Sequence, residues 1–481
     1  MKIIIILFFL IAETIFSAGY TLPIFGTRNL ARGGAFMSKA DDLTAIKTNP
    51  ANMIKFKGLN SYFSLGLIKT DSEISYYHRF GENELNGTLT PEITSYKPIN
   101  NDAFFPNPTI IISDDFGMNK FNFSFGVYGP YAPDYNYNKR CPSNSKASTC
   151  PNRYGLFSSD ITQADIQITI AYQVLRNLSV GLGLKNSYIN FVYDLDIIAA
   201  MGGLDDLNAK AGLYDMNFKF DVTDMINPNF NFGVTYAPIK SIVLSFVYQS
   251  PISVSADGKL TSTPNSYFVN EDGEFVEKNQ AKGSLSDGDG LKDKDLNVEL
   301  NLPHIFSIGM MYEIKDLFNI EFDFSYEMWS VHEKVVITPV NVEVDVKGLG
   351  EPIKLGAIEQ IKKWKDTMRF SLGGDYVLNK NIIISLGGFY EQGAIPDKYY
   401  DNSILDTDKI GFTTGASYRW NDYDIYLSFA YIDFLEKDIT NSKVTPGNSF
   451  PNEKLSQEFI VGNGLYKTDI FILGLGVNAK F

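Results

Sequence analysis

Histidine is the side chain that most often carries acid–base chemistry near neutral pH, and this 481-residue chain has three: His78, His304 and His332. They lie on separate segments, and none stands in a G-x-S-x-G or H-E-x-x-H motif. A lipase or protease needs a serine or carboxylate beside a positioned histidine, and no such grouping can be assembled from the sequence. We therefore predict that the protein is not an enzyme.

The two cysteines, Cys141 and Cys150, close the polar stretch CPSNSKASTC at its two ends. In an oxidising compartment this arrangement predicts one local disulfide, and a pair of free thiols is the alternative. A metal site would need more ligands, and neither flank offers a histidine. The sequence therefore predicts no metal site and no cofactor.

The N-terminus has the pattern of a secretory signal peptide over residues 1–18. Lys2 is followed by an apolar run from Ile3 to Ile11 and then by the small residues Ser17 and Ala18, after either of which cleavage is expected. An N-terminal membrane anchor is the alternative, but the apolar run is too short to span a bilayer. The chain is therefore expected to be exported.

Composition narrows the class of exported protein. No other stretch approaches the ~18–20 apolar residues that a spanning helix needs, yet 44% of residues are hydrophobic, with 36 Phe and 28 Tyr. The formal charge of −14 argues against a nucleic-acid partner, because phosphates need a basic surface. Two classes remain, a secreted all-β protein and a β-barrel of an outer membrane.

Segments about ten residues long alternate apolar and polar positions along much of the chain, and Asn319–Trp329 is the clearest. One face carries Ile320, Phe322, Phe324, Tyr326 and Met328, and the other carries Glu321, Asp323, Ser325, Glu327 and Trp329. A soluble sandwich could bury the apolar face, whereas a transmembrane barrel would turn it to lipid and the acidic face to water. Small and polar residues dominate the second face of similar segments, which favours a wide lumen over a packed core.

The connections alternate in length. Short turns are predicted at Asp114–Asn119, Leu175–Asn177, Ala237–Lys240, Glu313–Asp316, Leu378–Asn381 and Trp420–Asp422. Long polar loops are predicted near residues 71–104, 133–158, 196–227, 256–298, 333–365, 395–408 and 435–463. Short turns at one rim and long loops at the other are typical of outer-membrane barrels. We predict an all-β fold, a transmembrane antiparallel β-barrel of about fourteen strands over residues 58–481.

The last alternating segment, Asp469–Phe481, ends on an aromatic residue. A terminal aromatic on a final barrel strand resembles the signal that barrel-assembly machinery reads, so this machinery is a predicted partner through Phe481. An ordinary C-terminal edge strand is the alternative. The predicted location is the outer membrane of a diderm bacterium.

The stretch Asn29–Met53 differs from these strands. It contains Gly33-Gly34, the acidic pair Asp41-Asp42 and the turn Asn49-Pro50-Ala51, and its spacing is too irregular for a strand. At the N-terminal end of a barrel, such an insert could sit in the lumen. We predict that residues 19–57 form a plug, or hatch.

Several motifs, in their order and spacing, resemble the FadL/TodX family of outer-membrane transporters of long-chain fatty acids and hydrocarbons. The segments that carry the resemblance are GGAFMSKADDLTAIKTNPANM, FFPNPTIIIS, FGVYGPYAP, YQSPISVSADGKL, LPHIFSIGMMYEI, WKDTMRFSLGGDYVLNKN and AIPDKYYDNSILDTDKIGFTTGASYRW. They are similar to the hatch and to the second, third, seventh, eighth and tenth to twelfth strands of the family. The resemblance covers nearly the whole chain.

The resemblance implies a monomeric fourteen-stranded barrel closed by the N-terminal hatch. A hydrophobic ligand would be captured between long extracellular loops, pass to an internal pocket as the hatch rearranges, and leave sideways into the bilayer. The hatch motif maps to Asn49, Pro50 and Ala51, and a turn leading into the first strand is the alternative. Asn52 departs from the usual glycine of the family, although asparagine also tolerates a left-handed backbone.

The sideways exit maps to a kink in the third strand at Gly126, Gly129 and Pro130. Pro130 cannot donate to the sheet ladder and the glycines permit a bulge, so strand pairing should weaken there. The alternative is a loop that begins at Gly129.

A long-chain carboxylate needs an apolar tunnel and a cation for its head group. Alternation points Lys185 and Arg369 into the lumen, although Glu391 could instead pair with Arg369. From the early mature segment, Tyr20, Leu22 and Phe25 could line the internal pocket, and a covered hatch core is the alternative.

The predicted partners are a long-chain fatty acid or another hydrophobic small molecule and the lipids of the outer membrane. A nonspecific outer-membrane porin and a structural or adhesive surface barrel are the alternatives. Open porins begin almost directly with a strand, so a hatch of about forty residues argues against the first of these.

Overall fold

The structure is a computed structural model that describes residues 25–77, 98–129, 134–137, 152, 155–198, 215–264, 267–269, 275–277, 291–314, 317–344, 353–354, 356–444 and 460–481. The predicted signal peptide, Tyr20, Leu22, His78, Pro130, Cys141 and Cys150 lie outside these ranges. Within them, no helix has the length and apolar character needed to cross a bilayer.

Helical structure is confined to short turns among many strands. The helices are α1 (Thr27–Ala31) and α2 (Ala45–Thr48), with 3₁₀ turns at Pro50–Lys55, Trp329–Val331 and Asp397–Tyr399. The strands up to the middle of the chain are β1 (Asn60–Tyr76), β2 (Ile99–Asp114), β3 (Phe121–Tyr128), β4 (Asp134–Asn136), β5 (Leu156–Leu175), β6 (Leu178–Ile198), β7 (Asp215–Ile239), β8 (Ile242–Gln249), β9 (Ile252–Pro264), β10 (Tyr267–Val269), β11 (Phe275–Glu277) and β12 (Leu291–Leu302). The remaining strands are β13 (Ile305–Ile314), β14 (Phe318–Glu327), β15 (Lys334–Pro339), β16 (Glu343–Val344), β17 (Ile353–Lys354), β18 (Ile358–Ile361), β19 (Thr367–Asn379), β20 (Ile382–Glu391), β21 (Lys409–Trp420), β22 (Tyr423–Ile439) and β23 (Gly464–Lys480).

Fourteen of these strands form a closed antiparallel barrel, as predicted. The order around the barrel is β1, β2, β3, β5, β6, β7, β8, β13, β14, β19, β20, β21, β22 and β23. The last strand then pairs with β1 from Tyr76↔Gly464 to Asn60↔Lys480, which closes the circle. Closure pairs the first strand with the last, so neither is left as a free sheet edge in a medium that could not hydrogen-bond to it.

The barrel wall turns apolar side chains outward and polar side chains inward, as the alternation of Asn319–Trp329 predicts. In β14, Phe322 is 46% exposed, whereas Glu321 is fully buried. In β23, Phe471 and Leu473 likewise face outward. An apolar outer face around a polar interior is the pattern of a barrel whose surroundings are lipid.

The two rims differ. The six predicted short turns all lie in hairpins at one rim, here called the short-turn rim, between β2 and β3, β5 and β6, β7 and β8, β13 and β14, β19 and β20, and β21 and β22. Exposed aromatic side chains ring it, as at a membrane interface: Phe116, Phe121, Tyr236, Tyr312, Phe318, Tyr376, Tyr418, Trp420 and Tyr423. Phe481 is also there, 75% exposed, and its amide donates to the Leu59 carbonyl at 2.9 Å.

At the opposite, long-loop rim, several strands extend well beyond the predicted loop boundaries. The expectation of a loop over 196–227 is wrong in part, because β7 already begins at Asp215 and pairs with β9 along Met216–Thr223. Strand β9 then pairs with β12, β12 with β15, and β15 with β18. In this extension the inward residues of β7 become apolar, with Phe218, Phe220 and Val222 buried. They join a large apolar core that closes the long-loop end of the lumen.

Residues 25–57, here called the luminal segment, fill the short-turn half of the interior. Most of the segment is buried, although it has only short helical turns of its own. Phe36, Leu43, Ile46 and Met53 are fully covered or nearly so, and they pack with inward aromatic residues of the wall such as Tyr62. A segment this short cannot build a core alone, so the barrel wall supplies most of its buried contacts.

Candidate functional site

The first half of the luminal segment lies close against strands β19 and β20. Gly33 and Gly34 have φ values of 62° and 84°, a left-handed backbone that glycine adopts without cost. A Cβ atom added at Gly33 would lie 2.4 Å from the Gly388 amide nitrogen, so only glycine permits this approach. The Gly33-Gly34 pair therefore turns the chain directly against the wall.

Two arginines of the luminal segment are paired with wall carboxylates in the lumen. Arg28 Nη2 lies 2.9 Å and Arg32 Nη1 lies 2.7 Å from the same Asp375 oxygen. Arg32 Nη2 is also 3.0 Å from Glu321, and Arg28 Nε is 3.0 Å from Asp41. Both guanidinium groups are almost fully buried, so these pairs compensate two desolvated charges.

The inward carboxylates of β14 bind backbone amides of the luminal segment. Asp323 accepts hydrogen bonds from the backbone amides of Phe36 and Met37 at 2.8 and 3.0 Å. Glu321 accepts one from the Lys39 amide at 3.1 Å, in addition to its pair with Arg32. These carboxylates satisfy backbone donors of a segment that has little secondary structure of its own.

The predicted Asn49-Pro50-Ala51 motif is placed against the opposite wall. Asn49 Nδ2 donates to the Met37 carbonyl and to Thr235 Oγ1, both at 2.9 Å, and its Oδ1 accepts from the Ala51 amide at 3.1 Å. Asn49 thereby caps the 3₁₀ turn Pro50–Lys55. The motif thus joins the two halves of the segment to β7.

Asn52, the position that departs from the family pattern, has no left-handed backbone. It lies within the 3₁₀ turn and is fully buried. Its Nδ2 donates to the Met37 carbonyl at 2.8 Å, and its Oδ1 accepts from Thr235 Oγ1 at 3.0 Å. The side chain reinforces the contacts of Asn49 instead of easing a turn.

A cavity of about 130 Å³ lies between the luminal segment and the apolar core at the long-loop end. It brings together three of the five predicted ligand-binding residues, Phe25, Lys185 and Arg369. Its other charged residues are Lys47, Asp165 and Glu327, and its apolar lining includes Val247, Ile252, Leu302 and Trp329. The cavity is therefore amphipathic, with cations on both the luminal segment and the wall.

The cations of this cavity are unequally compensated. Arg369 donates to Ser325 Oγ at 3.1 Å and lies 3.9 Å from Glu391, its cross-strand neighbour, as the alternative interpretation expected. In the part of the chain that the structure describes, no carboxylate oxygen lies within 4.0 Å of the Lys47 or Lys185 ammonium group. Lys47 instead lies 4.9 Å above the ring centre of Phe25. An anionic group would compensate these two lysines.

The strand pairing that the structure describes is interrupted beside the cavity, at residues 130–133, which lie outside the described ranges. Strand β3 pairs with β5 up to Tyr128↔Asp165, and β4 resumes the pairing only at Asp134↔Asp160. Residues 161–164 of β5 thus have no partner on this side among the described residues. Gly129 lies at the interruption, beside Asn107 and the backbone carbonyl of Gln163. Gln163 also lines the cavity, so the interruption and the cavity are adjacent.

Strand β2 has the matching edge. Only Thr109–Asp114 of β2 pair with β3, whereas the strand pairs with β1 as far as Ile99. Pro106 and Pro108, which have no amide hydrogen, lie in the part without a β3 partner, as expected for a strand edge. Gly126, in contrast, is regularly paired with Ile111 and Gln167.

Sequence reasoning did not single out several residues that the structure places at this site. Lys47 lies on the short helix α2, where the sequence shows no alternation that would point it into the lumen. The carboxylates of β14 were interpreted as facing water, and they instead bind the luminal segment. The described histidines are apart from the cavity: His304 Nδ1 contacts Tyr248 Oη at 2.9 Å, and His332 Nδ1 contacts the Asn301 carbonyl at 3.0 Å.

Comparison with known proteins agrees with this architecture. The chain is 22% identical over 463 residues to the long-chain fatty acid transport protein of Escherichia coli O6:H1, with 92% of this chain and 93% of that protein covered. It is 22% identical over 450 residues to outer membrane protein P1 of Haemophilus influenzae, with 86% of each covered.

Solved structures show the same fold. The FadL homologue of Pseudomonas aeruginosa superposes with a TM-score of 0.74 at 16% identity, covering 96% of this chain and 100% of that one. The Pseudomonas putida toluene transporter TodX gives a TM-score of 0.63 at 14% identity, covering 97% and 100%. The family described as "Outer membrane protein transport protein (OMPP1/FadL/TodX)" matches residues 8–481. The chain therefore belongs to this family of outer-membrane transport proteins.

Proposed function

We propose that the protein takes up long-chain fatty acids, or hydrophobic compounds with a similar anionic head group, across the outer membrane. The observation that carries the proposal is the amphipathic cavity beside the wall interruption. Lys47 and Lys185 have no carboxylate within 4.0 Å in the described part of the chain, and Arg369 adds a third cation. A carboxylate head group would compensate these charges, which a neutral hydrocarbon would not.

The luminal segment acts as the hatch, together with the rest of residues 19–57. At about 130 Å³ the cavity is smaller than the ~300–1,000 Å³ typical of ligand pockets, so a long acyl chain requires the segment to move. The Asn49, Pro50 and Ala51 contacts with β7 are the ones that change in this movement. Tyr20 and Leu22, which precede the described residues, would line the enlarged pocket beside Phe25.

The ligand leaves sideways through the interruption between Tyr128 and Asp134. The adjoining edges of β2 and β5 lack strand partners there in the described residues, and the cavity reaches Gln163 on β5. Pro130 has no amide hydrogen to donate to the ladder and Gly129 permits a bulge, so strand pairing is weakened there. Gly126 acts indirectly, since its missing side chain lets Ile46 of the luminal segment approach the wall.

The remaining parts of the proposal follow from the family and the sequence. Residues 1–18 direct export, residues 58–481 form the membrane barrel, and Phe481 is read by barrel-assembly machinery. The long loops outside the cell capture the ligand, and a Cys141–Cys150 disulfide ties one of them. The protein works as a monomer, without enzymatic activity.

Ligand binding to the purified protein tests the head-group site. The Kd for a radiolabelled long-chain fatty acid should rise about 10- to 100-fold in a Lys185→Ala variant, because a charge-assisted hydrogen bond is worth ~1.5–3 kcal/mol. Lys480→Ala is the matched control, since Lys480 pairs with Asp424 at the short-turn rim. Equal affinity of the Lys185→Ala variant and the wild type would refute the head-group assignment.

Planar-bilayer recording separates a closed transporter from a nonspecific porin. The wild type should show no large steady conductance, because the luminal segment and the apolar core fill the described lumen. A large steady conductance of the intact protein would favour the porin. Binding of toluene with no binding of a fatty acid would instead show that the cargo is a neutral hydrocarbon.

A further inference from the structure

Trp329 lies at the boundary between two chemically different parts of the lumen. Its side chain is 1% exposed, lines the charged cavity, and also belongs to the apolar core at the long-loop end. Leu302 likewise lines the cavity and belongs to the apolar core, and Ile252 lines the cavity while packing against the same core. These three side chains therefore form the partition between the cavity and the end of the barrel that the ligand enters.

Trp329 is the partition residue whose side chain is held by a polar contact. Its Nε1–H donates to Glu327 Oε2 at 2.8 Å, and Glu327 itself lines the cavity. On the side of the apolar core, the indole packs against the ring of Trp364, with the two ring centres 5.0 Å apart. The indole is thus bound on one side to a cavity carboxylate and on the other to the apolar core.

The backbone around Trp329 is suited to a change of side-chain position. The residue begins the 3₁₀ turn Trp329–Val331, which joins β14 to β15, so it is not part of the paired wall. Asp366 anchors this turn by accepting from the Ser330 amide at 2.8 Å. The backbone of the turn is thus held by a contact that does not depend on the position of the indole.

We propose that Trp329 is a gate that controls passage from the apolar long-loop end into the charged cavity. The inference rests on the proposed function, because it concerns the route of the same ligand. In the closed state the indole blocks the partition and its N–H is bound to Glu327. In the open state the hydrogen bond is broken, and the ring moves from the partition toward the apolar core. This core is apolar like the indole ring and the acyl chain, so it can contact both.

The gate makes a prediction about rates that a purely structural tryptophan would not. Removing the ring in Trp329→Ala should speed passage about tenfold, while the fatty-acid Kd of the cavity stays within about twofold. Trp329→Phe keeps an aromatic ring but lacks the N–H donor, so passage should become about threefold faster. Tyr400→Ala is the matched control, because Tyr400 is buried in the same core, has its ring contact with Tyr466 and does not line the cavity.

Access to the cavity can be measured without a transported ligand. In intact cells, a charged membrane-impermeant thiol reagent is added outside to a Lys185→Cys variant, and reaction of the native cysteines is subtracted with the parent protein. The labelling rate should rise about tenfold when Trp329→Ala is added and should not change when Tyr400→Ala is added. Initial uptake of a fluorescent long-chain fatty acid is measured in parallel with the native Lys185.

The outcomes separate the gate from the proposed function. Faster labelling with Trp329→Ala but not with Tyr400→Ala supports the gate, even if no fatty acid is taken up, in which case the proposed cargo is wrong. Uptake by the wild type with equal labelling rates in the Trp329→Ala and Tyr400→Ala variants overturns the gate and leaves the transport proposal intact. If Trp329→Ala does not fold, Trp329→Phe decides, and an unchanged labelling rate in that variant overturns the gate.

Discussion

Replacing Asp375 by asparagine should release the first half of the luminal segment from the wall. The carboxylate accepts from Arg28 and Arg32 at 2.9 and 2.7 Å, and its other oxygen accepts from Ser385 Oγ at 2.7 Å. Asp375→Asn keeps the shape and removes the charge, so two buried guanidinium groups lose the carboxylate that they share. Removing one partner from a buried ion pair typically costs ~3–5 kcal/mol.

The lower end of that range applies here, because Asp41 still pairs with Arg28 and Glu321 still pairs with Arg32. A loss of ~3 kcal/mol in docking free energy shifts the equilibrium between docked and undocked luminal segment about 100-fold. If the undocked state is a fraction of a per cent of the wild type, it becomes a substantial fraction in the variant. The lumen on the short-turn side should then open part of the time.

Limited proteolysis measures this release directly. In Asp375→Asn the luminal segment should become sensitive to protease added on the short-turn side, whereas no conduction is expected because the apolar core still closes the long-loop end. Asp424→Asn is the matched control. Asp424 pairs with Arg419 and Lys480 at the short-turn rim, where the two cations are exposed to solvent and such ion pairs contribute ~0–1 kcal/mol.

The reasoning is refuted if protease on the short-turn side cleaves the luminal segment of Asp375→Asn no faster than that of Asp424→Asn while the barrel remains folded by heat-modified gel mobility. That result would mean that Asp41, Glu321 and the backbone hydrogen bonds hold the segment without the shared carboxylate.

Two further predictions concern the second half of the segment and the long-loop end. Asn49→Ala removes both donated hydrogen bonds, including the one to Thr235, and should lower the free energy of docking of the luminal segment by ~1–3 kcal/mol. Backbone amides of the segment should then exchange faster with solvent, and unchanged exchange would contradict the prediction. Burial, with repulsion from Lys362, lowers the pKa of His332 to about 3, so opening of its aromatic cluster takes up a proton below its ordinary pKa of about 6.5. The closed state of the cluster formed by His332 and Trp364 should therefore lose ~1.4 kcal/mol of stability per pH unit as pH falls from about 6.5 toward 3. The loss should appear as a red shift of the Trp364 fluorescence emission, and His332→Gln should abolish this shift. An equal red shift in that variant would assign the pH dependence to another group.

Much of the fold was readable from the sequence because it depends on local pattern. The segment Asn319–Trp329 shows its lipid and lumen faces by alternation alone, since a strand turns successive side chains to opposite sides. The six short turns were placed correctly because two strands joined by a few residues must be neighbours. The boundaries at the long-loop rim were placed less well. There β7 continues past the residues that pair with β8 and pairs with β9 instead, and its inward residues change from polar side chains to Phe218 and Phe220.

Only part of the candidate site was readable. Lys185 and Arg369 were identified because they lie on alternating strands, and the structure brings both to one cavity. Lys47 was missed because its direction depends on how a short helix docks in the lumen. Trp329 was assigned to the inward face, but its place between the cavity and the apolar core depends on where the wall strand ends.

The sequence by itself determined that this chain is an outer-membrane barrel with an irregular N-terminal insert, because alternation, turn spacing and motif order are local properties of the chain. The tertiary structure decided what the inward polar residues do. Asp375 meets Arg28 and Arg32 across about 340 residues of chain, and such partners are set by barrel closure and by the docking of a segment without a regular pattern. The cavity and the Trp329 partition are likewise products of distant strands meeting, which no local pattern encodes.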